Sequence, residues 1–447
     1  MNSLKVAVIG GGSSYTPELV DGLLRRAGEL PVAELWLADI PAGEEKLAVV
    51  ADLARRMAAR AGSAMTVHTT LDRHQALDGT HYIVTQIRVG GLAARVRDER
   101  IPLKYGVLGQ ETVGPGGFAN ALRTVPVILD ICRDIEALCP DAWLINFANP
   151  AGLVTEAVLG HSAVKCIGLC NVPINMVMTA AKLLGADPAD VAIDFAGLNH
   201  LVWGRAVRLK GKDVTGVILD KLADGAALTM NNIPDLKWDA AFLKKLGMVP
   251  SPYHRYYYMT DRLLGEEQAA ADPGGPGTRA EQVQAVEEAL FARYRDENLA
   301  EKPPELEKRG GAYYSEAAVS LISAIHNDKR EIHAVNTRNN GAIAGLSATA
   351  VVEVNCRVGK GGATPLPVGD LPADALRLVQ QVKAYERLAI EAAVGGDRAT
   401  ALAALAANPL VPAAADTAGL LAEILDANRQ YLPLFHGQQR TETPCAD

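Results

Sequence analysis

Cysteine is sparse in this sequence. Its 447 residues hold six, Cys132, Cys139, Cys166, Cys170, Cys356 and Cys445, too scattered for a disulfide framework, so a reducing compartment is expected. Long apolar stretches are missing too: no run approaches the roughly 18 residues that span a bilayer. The chain enters a strand-like run at Leu4 with no small-residue cleavage site behind it, which speaks against a secretory leader. Nor is there a basic excess. Lys and Arg (44) fall short of Asp and Glu (52), and a net charge of −8 argues against nucleic acid or an anionic membrane as the main partner. Aromatics make up only 5%, but 49% apolar and 21% charged residues are ordinary for a globular chain, so disorder is not expected. No internal repeat is visible. What remains is a cytoplasmic enzyme, long enough for two domains or for one α/β domain with an added lobe.

The first third alternates short β-rich runs with helical stretches, the rhythm of a parallel sheet. Strands are predicted over 5–9, 34–38, 64–69, 82–86, 143–147 and 165–169, and helices over 17–26, 45–61 and 125–138. Beyond residue 170 the pattern loosens. Strands are expected at 191–198 and 201–209, joined near His200, and at 350–358. Helices are expected over 278–295, 310–325, 371–394 and 417–431, with an Ala-rich stretch at 399–415, a loop at 272–277 and a polar tail from 436.

The first strand runs into Gly10-Gly11-Gly12-Ser13-Ser14-Tyr15. Glycines there let the backbone turn sharply and approach a pyrophosphate at the start of the next helix. The third glycine of the usual dinucleotide fingerprint is absent, Tyr15 standing in its place. Asp39, closing the second strand, strengthens the case. Its carboxylate can accept the ribose hydroxyls and repel a 2′-phosphate, which reads as NAD rather than NADP. The plainer alternative is a tight turn and a surface acid.

Cys170 follows the strand at 165–169, at the carboxyl end where ligands of parallel sheets bind. His200 lies between two strand-like runs, and neither residue has a nearby partner at zinc-finger spacing. One thiolate and one imidazole would make an open site for a catalytic divalent metal. On residue type alone, a small core cysteine and a hydrogen-bonded structural histidine are the commoner finding.

Arg88, Arg95, Arg97 and Arg100 crowd the end of the fourth strand. Guanidinium grips phosphate or carboxylate with two donors, so an anionic substrate is one reading. The other is a solvated helix face paired with Asp98 and Glu99. Residues 106–117 read as a flexible glycine loop holding one acid, Glu111. Asn149, before Pro150, is extended and free to meet a ligand, or else caps the next helix. Tyr253, Tyr256, Tyr257 and Tyr258 cluster tightly. A phenol titrates near pH 10 and serves as a base only with help, so packing is the favoured reading on spacing alone.

Taken together, VIGGGSSYTPELV (8–20), RVGGLAAR (88–95), ERIPLKYGVLGQET (99–112), NFANPAGLVTEA (146–157), GLCNVPIN (168–175), GLNHLVW (197–203), SPYHRYYY (251–258), KRGGAYYS (308–315) and NTRNNGAI (336–343) resemble glycoside hydrolase family 4, within it the 6-phospho-β-glucosidases. The resemblance implies a Rossmann-type parallel sheet like that of lactate and malate dehydrogenases, over 1–170, and a second α/β domain with C-terminal helices over 171–447. It implies NAD on Gly10, Gly12, Ser13, Ser14, Tyr15 and Asp39, and Mn²⁺ or another divalent transition metal on Cys170 and His200. The family's base tyrosine falls on Tyr253, and the acid that raises its basicity on Glu111. Substrate contacts fall on Arg95, Asn149 and Arg279, and on Asn171, where α-specific members carry an acid.

The implied reaction is hydrolysis of a phosphorylated disaccharide or β-glucoside, such as cellobiose 6-phosphate, to glucose 6-phosphate. It would oxidise C3, deprotonate C2, eliminate the aglycone, add water and return the hydride, with no net redox change. Relatives suggest a homodimer or homotetramer. Rival readings are an NAD-dependent 2-hydroxy-acid dehydrogenase, a redox-sensing module that uses NAD only as a ligand, and an α-galacturonidase-type glycosidase of the same family.

Overall fold

The computed structural model describes residues 3–228, 230, 233–309 and 313–437. Cys445, the tail beyond 437 and the first residues of the helix expected at 310–325 lie outside the described residues. Six parallel strands form the centre: β1 (Leu4–Ile9), β2 (Val32–Ala38), β3 (Thr66–Thr70), β4 (Tyr82–Thr85), β5 (Trp143–Asn146) and β6 (Lys165–Gly168). They lie in the order β3-β2-β1-β4-β5-β6. In β1 the consecutive residues Val6, Ala7 and Val8 are all fully buried, because helices cover both faces of a parallel sheet. Strand order reverses between β1 and β4, which opens a crevice at their carboxyl ends.

A second sheet holds β7 (Val191–Leu198), β8 (Leu201–Leu209), β9 (Lys212–Asp213) and β10 (Val249–Pro250). Strands β7 and β8 form a hairpin closed by the Leu198–Leu201 pair, so Asn199-His200 is its two-residue loop. Three later strands, β11 (Glu331–Arg338), β12 (Val351–Gly359) and β13 (Gly362–Pro365), then join the first sheet antiparallel, with β11 beside β6. Asn355 of β12 ties the two sheets together. It accepts the Phe195 N–H at 2.6 Å and donates to the Ile193 carbonyl at 3.0 Å, beside a bulge in β7. The apolar core also passes across residue 170, since Val8, Phe118, Leu153, Val354 and Tyr385 belong to one cluster.

The glycine-rich stretch differs from expectation. Residues 106–117 are not a loop throughout, and the helix expected from Val125 begins earlier, as Gly114–Leu138. Three glycines of the stretch, Gly109, Gly116 and Gly117, serve close packing. A Cβ on Gly116 would lie 2.2 Å from the Gln110 carbonyl oxygen and 2.6 Å from that of Asp98. Pro115 fits the first helical turn, where an N–H has no partner in the helix. The described cysteines, Cys132, Cys139, Cys166, Cys170 and Cys356, are free. Among the described residues no helix is long and apolar enough to cross a membrane.

Candidate active site

The glycine turn leaves β1 toward the crevice. Gly10 has φ of +86°, and a Cβ there would lie 2.9 Å from the Gln86 carbonyl, so a side chain is excluded twice over. The Gly12 N–H donates to Asp39 Oδ2 at 2.8 Å and the Ile40 N–H to Oδ1 at 2.9 Å. Burial lifts the Asp39 carboxyl above its ordinary range despite those bonds. The acid thus stands beside the turn, where a ribose would lie next to a pyrophosphate held at the helix start. Ser13 Oγ accepts the Tyr15 N–H at 3.3 Å. Ser14 Oγ donates to Glu287 at 3.2 Å, which also holds Lys46 at 2.5 Å and Arg309 at 2.7 Å. The Arg309 guanidinium covers the Tyr15 ring, 4.6 Å from its centre.

Across the crevice, Cys170 follows β6 and His200 tips the β7–β8 hairpin, at a φ of +60° that non-glycine residues rarely adopt. Cys170 Sγ and His200 Nε2 are 3.5 Å apart. Tyr253 stacks on the His200 ring, with centroids 4.0 Å apart and planes 13° from parallel. Burial pushes the His200 imidazole down to about 3, so its ring is neutral and can offer a lone pair. Burial pushes the Cys170 thiol up, and the charge of Glu353 adds to that.

A metal bonded at about 2.3 Å to sulfur and 2.1 Å to nitrogen, at angles near 90–110°, sets its two ligands roughly 3.1–3.6 Å apart. The observed pair fits that span. Among the described residues no three His, Cys, Asp or Glu gather to enclose a metal, so the pair would leave positions for other oxygens. Asn171 occupies the cap position of helix Val172–Leu184 without a side-chain cap bond. Pro150, not Asn149, takes that position in helix Ala151–His161, which removes the capping alternative for Asn149.

Glu111 lies at the meeting of two arginines, Arg88 at 2.5 Å and Arg95 at 3.0 Å. Burial alone would raise its pKa, but Arg88 and Arg95 outweigh it and the carboxyl sits below its usual range. Its charge acts weakly on the His200 imidazole, against the larger effect of burial. The alternative of a solvated helix face fails for Asp98 and Glu99, both buried on helix Gly91–Lys104. Asp98 grips Arg123 at 2.6 and 2.8 Å, while Glu99 takes Arg95 at 2.8 Å and the Ala280 N–H at 2.6 Å. Arg95, Tyr256 and Arg279 line a cavity of about 300 Å³. Burial, then the neighbouring Arg95, lower the pKa of Arg279.

Two family models cover most of the chain. Residues 5–186 match the family 4 glycosyl hydrolases, and residues 195–411 the C-terminal domain of the same family. The chain belongs to glycosyl hydrolase family 4. A probable 6-phospho-β-glucosidase of Bacillus subtilis (strain 168) is 55% identical over 97% of the chain and 98% of its own length. The Thermotoga maritima 6-phospho-β-glucosidase, solved with manganese, NAD⁺ and glucose-6-phosphate, superposes with a TM-score of 0.88. It is 39% identical, with 96% of this chain and 99% of that one covered. Malate dehydrogenase of Cryptosporidium parvum shares the fold alone, at 14% identity, TM-score 0.54, and 88% and 99% coverage.

Four arginines, Arg88, Arg95, Arg279 and Arg309, act electrostatically on or near Glu111 in this family 4 chain. Arg309 and Glu287 were not singled out from the sequence. Arg309 had a signal, since it falls within KRGGAYYS, whereas Glu287 sits in an ordinary charged helix and had none.

His254, buried 4.3 Å from the Trp203 ring, accepts the Ser251 N–H at 2.9 Å, and burial pushes it down to about 3. The unfolded chain takes up that proton below about pH 6.5, so stability is full above that pH and is lost as pH falls towards 3. The expected slope is about 1.4 kcal/mol per pH unit per buried imidazole, and metal-free His200 adds an equal share. The difference in urea midpoint between parent and His254→Gln, followed from pH 7 to 5, checks this, because buried Glu267 and Glu353, pushed up to about 7, titrate in the same window with the opposite sign.

Proposed function

We propose that the chain hydrolyses 6-phospho-β-glucosides, such as cellobiose 6-phosphate, to glucose 6-phosphate and the aglycone. The observation that carries this reading is the meeting of Cys170, His200 and Tyr253, three residues remote in sequence, at one point of the crevice. The turn at Gly10, Gly12, Ser13, Ser14 and Tyr15, with Asp39, would hold NAD, and Cys170 with His200 would hold Mn²⁺ or a similar ion. Bound there, the two supply a hydride acceptor for the C3–H and a Lewis acid for the C2 and C3 oxygens.

Tyr253 takes the proton from C2 as the aglycone leaves C1. A phenol is a weak base near neutrality, and the ionised Glu111 raises its hold on that proton. Arg95 and Arg279 offer forked donors to the phosphate across their shared cavity. Asn149 and Asn171 orient the sugar. Asn171 has no acidic proton to give a leaving group, which favours β-glycosides. The same reading divides labour at residue 170, puts the enzyme in the cytoplasm and makes it a homodimer or homotetramer.

p-Nitrophenyl β-glucosides with and without a 6-phosphate, assayed with and without NAD⁺ and Mn²⁺, test it. Hydrolysis should need both additions, prefer the phosphorylated substrate and leave NADH absorbance flat. Accumulating NADH would mark a dehydrogenase, and equal rates without the phosphate would remove phosphate from the substrate class.

A further inference from the structure

Glu353 has no place in the scheme so far. It stands on β12, fully buried, and among the described residues no lysine or arginine pairs with it. Its Oε1 accepts Asn336 Nδ2 at 2.8 Å and Asn199 Nδ2 at 3.3 Å, while Oε2 is buried without a hydrogen-bond partner. A carboxylate isolated this way is costly in a protein core unless a positive charge comes within reach.

We propose that Glu353 is a positioning residue for divalent-cation binding, holding the Asn199-His200 turn and supplying the buried counter-charge to an ion on Cys170 and His200. Asn199 is the link. It donates to Glu353, and its Oδ1 accepts the Gly152 N–H at 3.2 Å, so the hairpin tip is pinned between β12 and helix Ala151–His161. That pin holds the adjacent His200 at its unfavourable φ of +60°, with Nε2 turned toward the sulfur. Asn199, which Glu353 holds, directly precedes His200, so one hydrogen bond and one peptide link separate the acid from the proposed ion. The two accepted hydrogen bonds would be met as well by a glutamine, whereas a bound cation favours the acid over the amide. The inference rests on the metal reading of Cys170 and His200.

The test is Mn²⁺ binding to NAD-loaded protein, followed by the electron-spin signal of free Mn²⁺, for the parent, Glu353→Gln and Glu353→Asp. Glutamine keeps the acceptor for both asparagines and removes the charge. The expected result is Mn²⁺ binding about 10–100-fold weaker in Glu353→Gln, a smaller loss in Glu353→Asp, and metal-free Glu353→Gln melting no lower than the parent, since it no longer buries an unpaired charge. Equal Mn²⁺ affinity in parent and Glu353→Gln overturns the inference and leaves the metal reading standing. A parent that binds no Mn²⁺ overturns both. Should Glu353→Gln not fold, Asn199→Ala reads the other end of the link. Weaker Mn²⁺ binding supports the pin, and parent-like binding overturns it.

Discussion

Tyr253→Phe is expected to lower kcat by about 10²–10⁴-fold, the usual worth of a positioned proton-transfer group. The substitution is narrow. Tyr253 is buried and its ring rests on His200 at 4.0 Å, a contact that phenylalanine keeps. Only the hydroxyl is lost, so Mn²⁺ and NAD should bind as before. If the phenol takes the C2 proton, exchange of the substrate's C2 hydrogen with deuterated solvent should disappear along with turnover. A Tyr253→Phe enzyme that still exchanges that hydrogen at the parent rate would move the base elsewhere in the site. Glu111→Gln should shift the same step less, through the phenol's basicity. It would also leave Arg88 and Arg95 without their shared carboxylate, so its effect is read beside the melting temperature.

Chelating the divalent ion, or replacing Cys170 with alanine, should bring a loss of comparable size. Lewis-acid stabilisation of developing charge is worth several kcal/mol, which at about 1.4 kcal/mol per decade is on the order of 10³-fold in rate. The two interventions differ usefully. Chelated parent should recover when Mn²⁺ is returned, since Cys170 and His200 already stand 3.5 Å apart and need no rearrangement. Cys170→Ala should not recover at the same Mn²⁺ concentration, because one imidazole remains where two protein ligands met. Parent-level hydrolysis by the alanine variant in the presence of a chelator would remove the metal from the reaction altogether. NAD binding gives the control, because the glycine turn and Asp39 lie on other elements and should be untouched.

The parts of the site legible in the sequence are those written in contiguous residues. The glycine turn sits between an apolar run and a helix with Pro17 in its first turn, and Asp39 closes the next strand. Cys170 follows a strand end for the same local reason. The arginines beyond β4 were visible as a local excess of charge, but Glu111 as their common partner was not. Residues 106–117 misled because glycine marks a flexible loop and a tightly packed backbone equally well. Close neighbours such as the Asp98 and Gln110 carbonyls beside Gly116 distinguish the two.

Sequence by itself determined the βαβ rhythm, the dinucleotide turn, the excess of acid over base and, through ordered motifs, the family. Tertiary structure alone decided which distant side chains meet. β11 enters the first sheet beside β6 and carries β12 on its far side, although a long stretch of chain separates β6 from β11, and that pairing sets Glu353 against Asn199. Hydrophobic periodicity and turn chemistry act over a few neighbouring residues. The pairing of remote strands is settled by burying whole faces at once, and no local stretch of sequence carries that information.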